Sequence, residues 1–199
     1  MSTTPAVLEH SATRARILPN LLIWTLSFLA IPIAGYLGTA IVGRVDDLVA
    51  ALAGGAIVGA AVGAVQALAS RRRLPVRAWT VASAIGMSVG LAVGTLVVGY
   101  ETSLAALALQ GLITGLILGA AQALALPATA RLRWLWLAGT AVLWPLAWTI
   151  TTLAGIQVGE QFIVFGASGA FVYTVLAGLL LQLLVPARTG APVPAEAGV

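Results

Sequence analysis

The chain has 199 residues, of which 60% are hydrophobic and 8% charged, with a mean hydropathy of +1.05 and a formal net charge of +4. A water-soluble domain carries roughly 25% charged side chains, so this composition excludes one. The lack of cysteine and the single histidine, His10, further exclude disulfides, thiolate chemistry, haem ligation and a histidine-rich metal site, and no cofactor is expected.

In chain order, residues 1–16 are polar without apolar periodicity and read as a disordered N-terminus. Six apolar stretches follow, at 18–43, 48–70, 78–100, 102–126, 134–158 and 161–186. Each is near or above the roughly 20 residues a helix needs to cross hydrocarbon. The first is longer than the roughly 7–15-residue core of a signal peptide and lacks a small-x-small cleavage pattern, so it is expected to be retained as a span. Residues 189–199, rich in proline and small residues, read as a second disordered tail, leaving 17–188 as one transmembrane domain. The expected fold is an all-α integral membrane protein.

Charge sets the expected orientation. Arg14 and Arg16 precede the first span, Arg71, Arg72, Arg73 and Arg77 separate the second from the third, Arg131 and Arg133 separate the fourth from the fifth, and Arg188 follows the sixth. The intervening connections carry Asp46, Asp47, Glu101 and Glu160, with Arg44 their one cation. The positive-inside rule then puts both termini in the cytoplasm. Every basic residue is arginine and the chain is rich in Ala, Gly, Val and Leu, a bias typical of GC-rich bacterial genes, so a bacterial inner membrane is the expected location. Trp24, Trp79, Trp134 and Trp136 fall at the inner ends of the odd-numbered spans, where an indole buries its ring and keeps its N–H wet. Arg71, Arg72, Arg73, Arg131 and Arg133 are expected to meet anionic lipid headgroups. No aromatic-basic patch suits nucleic acid.

An internal repeat organises the spans. Thr39…Gly43, Thr95…Gly99 and Thr151…Gly155 recur at a constant step of 56 residues, the difference between 95 and 39 and between 151 and 95. The chain therefore reads as three tandem two-helix repeats, about 17–73, 77–131 and 133–188, in a pseudo-three-fold arrangement. The returning helices of the first two match best: Gly55, Gly59, Gly63 and Gln66 recur as Gly111, Gly115, Gly119 and Gln122. In the third, Leu181 stands where the glutamine would be and Gln182 lies beside it.

Glycine every fourth residue leaves a flat strip along one helical face, which lets backbones approach where apolar burial gives little net drive in lipid. Gln66 and Gln122 lie seven residues beyond Gly59 and Gly115, hence on the same face. An unpaired amide there costs several kcal/mol, so each is expected either to fix register through an interhelical hydrogen bond or to line a solute path. Thr39, Thr95 and Thr151 are expected to bond the preceding turn's carbonyls, the alternative being a ring of hydroxyls toward the outer side.

The element Gly-x-x-x-Gly-x-x-Gln-Ala-Leu, followed by arginines and a tryptophan-led helix, resembles small multi-pass bacterial membrane proteins and implies no activity. Gly166-Ala167-Ser168-Gly169 resembles the nucleophile motif of rhomboid intramembrane proteases, but the required base is missing, since His10 is far off in the N-terminal tail. Three two-helix repeats are similar to mitochondrial-type carriers, without their Pro-x-acidic-x-x-basic signature. Size and span number are similar to the capture subunits of energy-coupling-factor transporters, without their long outer loops. The expectation is a non-enzymatic scaffold or accessory subunit that packs through its glycine faces against a second copy or another membrane protein. The alternative is a transporter or channel for a small neutral solute, since no span carries an ionisable relay.

Overall fold

The computed structural model describes residues 18–156, 158–160 and 166–185. Both tails expected to be disordered lie outside these residues, as do Arg14, Arg16, Arg188 and the side chain of Glu160. Among the described residues there is no strand, and six helices are long and apolar enough to cross a membrane. They are α1 (Leu18–Val42), α2 (Leu48–Ala69), α3 (Val76–Val98), α4 (Leu104–Ala125), α5 (Ala130–Leu153) and α6 (Ala167–Leu184).

Local chemistry sets their ends. The Asp47 carboxylate accepts from Ala50 N–H at 2.7 Å and starts α2, while Ser103 Oγ accepts from Ala106 N–H at 3.3 Å and starts α4. The acidic turn at Asp47 is thus a helix cap. Pro75, which has no N–H to satisfy, sits just before α3 and brings its start to Val76, ahead of the expected 78. In α1 the ring of Pro32 removes the i−4 bond to Phe28, and the helix passes through a 3₁₀ turn at Ser27–Leu29.

The recurring Thr-x-x-x-Gly element is a helix stop. Gly43, Gly99 and Gly155 adopt φ of 74°, 61° and 79°, which a side chain resists, and each follows the end of an odd-numbered helix. In all three the threonine carbonyl takes a closing bond: Gly43 N–H to Thr39 O, Tyr100 N–H to Thr95 O and Ile156 N–H to Thr151 O. Gly155 ends α5 at Leu153, short of the expected 158, and the helix starts earlier to compensate.

Neighbouring helices pack in chain order, and α6 returns to α1 to close a ring. At the closure Phe28 meets Phe171 edge to face, with ring centroids 5.4 Å apart, and Trp24 Nε1 donates to Thr174 O at 2.9 Å. Gly178 leaves room for that indole, since a Cβ there would lie 2.8 Å from Trp24 Nε1. Large apolar side chains such as Ile33, Ile41, Val49, Leu124, Val142 and Leu183 cover the outside, a surface compatible with lipid.

Glycine strips make the tightest contacts. On α2, Cβ atoms added at Gly55, Gly59 and Gly63 would collide with Met87, Ser83 and Ser88 of α3; on α4, those at Gly111, Gly115 and Gly119 would collide with Pro145, Thr140, Trp144 and Leu137 of α5. A third strip, Gly86, Gly90 and Gly94 of α3, packs against Leu118, Thr114 and Gln110 of α4. Gly169, the last residue of the glycine-serine-glycine motif, packs on the Ala147 carbonyl of α5.

Candidate functional site

The ring encloses a cavity of about 80 Å³ with residues from all six helices in its wall. One water needs roughly 10–15 Å³, so there is room for several waters or one small solute. The cavity reaches the acidic end of the bundle at Val45, Tyr100–Thr102 and Val158. It runs inward to Gln66, Ser83 and Gln122.

Helical periodicity builds the wall. Ser83, Met87, Leu91 and Thr95 on α3, and Gln110, Thr114, Leu118 and Gln122 on α4, recur every four residues and so share one face of each helix. The wall is apolar except for amides and hydroxyls, and its one ionisable carboxylate, Glu101, stands exposed at the mouth.

A tryptophan and glutamine cluster closes the arginine end. Trp79 and Trp136, 0% and 1% exposed, meet edge to face with ring centroids 5.4 Å apart. Trp79 Nε1 donates to Gln66 Oε1 at 3.4 Å, Trp136 Nε1 donates to Gln122 Oε1 at 3.2 Å, and Gln122 Nε2 donates to Ser83 Oγ at 2.9 Å. Each glutamine thus holds the indole of the next odd-numbered helix, while Gln122 also ties α4 to α3.

This corrects the expected placing of the tryptophans at the lipid boundary. Trp24, Trp79 and Trp136 are buried with their N–H groups bonded inside the protein, and of the four only Trp134 is exposed. The glutamines provide acceptors that draw two of the indoles inward.

The threonines divide. Thr95 Oγ1 donates to Leu91 O and Ala92 O, at 2.9 and 3.0 Å, as expected. The hydroxyls of Thr39 and Thr151 are buried without a partner, and neither residue lines the cavity, so there is no ring of three hydroxyls around it. Gln182, on the third returning helix, has both amide atoms buried without a partner, unlike Gln66 and Gln122.

At the arginine end Arg71, Arg72 and Arg131 are exposed, whereas Arg133 Nε donates to Leu126 O at 3.1 Å. Arg73 is only 9% exposed and does not face outward with its neighbours; burial pulls its guanidinium below its ordinary pKa.

Gln110, Ser83 and Thr114 belong to the site, although the 56-residue repeat did not single them out. Thr114 Oγ1 donates to Gly90 O at 3.1 Å, filling the gap that a side chain at 90 would occupy. The signal for Gln110 and Thr114 is the four-residue spacing of polar residues on α4 and of the glycines that face them on α3. No protein-family model, curated protein or solved structure matches this chain.

Proposed function

We propose that the protein is a non-enzymatic carrier for a small neutral solute, which enters from the acidic end and is held in the central cavity. One observation carries this: the helix ring encloses a polar-spotted cavity, open toward one end and stopped at the other by Trp79 and Trp136. Neutrality follows from the wall, which would have to strip water from a charged solute and offers no countercharge at depth.

The accessory-subunit alternative has less support, because the glycine faces that would have bound a partner are occupied by helices of the same chain. The proposed orientation has the acidic end outside and the arginine end in the cytoplasm of a bacterial inner membrane, with Arg71, Arg72 and Arg131 near anionic headgroups. The proposed ancestry is three tandem repeats about a pseudo-three-fold axis. Three positive-φ glycines 56 residues apart support it, as do three buried indoles, each bonded to the preceding helix of the ring.

Flux of acetamide or glycerol into reconstituted vesicles tests the proposal. The parent should exceed protein-free vesicles, and Leu91→Trp, which fills the cavity from its wall, should fall to the protein-free rate with its melting temperature kept. A parent no faster than bare lipid, or a flux untouched by the filled cavity, would overturn it.

A further inference from the structure

Gln110 is 6% exposed, lies in the cavity wall, and its side chain makes no hydrogen bond to any described residue. Several other polar groups of the wall are bonded within the protein. Gln122 is bonded through both its oxygen and its nitrogen, and Gln66 accepts from Trp79. The Thr114 proton goes to Gly90 O, and the Thr95 proton to carbonyls of its own helix. Gln110 thus keeps both a free N–H pair and a free carbonyl, side by side in one plane.

Unlike the amide of Gln182, that of Gln110 is not fully buried but open to the cavity, so whatever occupies the cavity can supply its partners. A second carboxamide fits best: its carbonyl accepts from Gln110 Nε2 while its N–H donates to Gln110 Oε1, closing a planar pair of hydrogen bonds. Leu107, one turn before Gln110, and Met87 and Leu91 on α3 present apolar surface for the rest of the molecule. A cavity of about 80 Å³ is near half the roughly 150 Å³ that takes benzene, which limits the solute to a few heavy atoms.

We infer that the solute is a small primary carboxamide and that Gln110 is the residue that selects it. This rests on the carrier reading above.

Propionamide and N,N-dimethylformamide are isomers of equal size, and only the first can donate. Binding to the detergent-solubilised protein is read from tryptophan fluorescence, to which Trp144 and Trp148 contribute from the cavity wall. Propionamide should half-saturate at a concentration about tenfold lower than dimethylformamide, and in Gln110→Leu that preference should shrink to less than twofold. Equal binding of the isomers by the parent would overturn the inference, as would a preference kept in Gln110→Leu, while vesicle flux of other neutral solutes would leave the carrier standing. If neither isomer binds, the inference falls, and the flux assay decides separately whether the carrier falls with it. Should Gln110→Leu not fold, the isomer comparison on the parent decides alone.

Discussion

Gly115→Ala adds one methyl group where α4 and α5 touch. The new Cβ would lie 2.7 Å from Thr140 O, 2.9 Å from Trp144 Cβ and 3.1 Å from Ala141 Cα. Comfortable carbon contacts begin near 3.5 Å, and two of these three atoms are backbone, so no rotamer change relieves the crowding. The helices must separate by roughly 0.5–1 Å, which loosens the flanking contacts at Gly111 and Gly119 as well, and such overpacking costs about 1–3 kcal/mol. Helix propensity works the other way, since alanine is favoured over glycine by up to about 1 kcal/mol. Gly139→Ala cancels that term: it is also mid-helix, but its Cβ meets only the end of the Leu180 side chain, which can rotate away. The difference between the two variants therefore isolates the seam. Thermal unfolding in detergent should give Gly115→Ala a Tm about 3–10 °C below that of Gly139→Ala. A Gly115→Ala protein as stable as Gly139→Ala would refute the claim that backbone contact holds α4 to α5.

Gln122→Leu leaves the Trp136 N–H and the Ser83 hydroxyl without their bonds, so it should cost about 1–3 kcal/mol, whereas Gln110→Leu should leave the Tm within a degree or two; equal losses in a melting assay would contradict the hydrogen-bond assignment. Gly99→Ala meets no atom within 4 Å but forces a side chain into φ 61°, so chemical denaturation should register a loss of about 1–2 kcal/mol. Cysteines placed at Asp46 and Glu101 should react with an impermeant thiol reagent in intact cells and those at Arg72 and Arg131 should not; the reverse pattern would invert the proposed orientation.

The spans were legible because hydrocarbon imposes one coarse demand, long apolar runs with charges expelled to the connections. The ends were less so: α5 stops at Gly155 for reasons of backbone conformation, which hydropathy does not register. Gln66 and Gln122 could be singled out as polar residues on a glycine face, but their partners could not, because Trp79 and Trp136 read equally well as interfacial anchors. Only the packing of one helix on the next decides between a wet indole and a buried one. Gln110 stands outside the repeat, and a cavity arises from several helices together, so no one of them signals it.

The bond from Trp24 to Thr174 spans 150 positions of sequence, and it has a bearing on how the molecule is made. A chain threaded into a bilayer helix by helix delivers Trp24 first and its acceptor last. For most of synthesis that indole must rest where its N–H can stay hydrated, near the headgroups. The chamber likewise lacks its Tyr173 wall until the final helix arrives, so α1 through α5 form an open crescent. The contacts between α1 and α6 are therefore the last that the growing chain can make, and protease resistance of the nascent chain should appear only when α6 has been added.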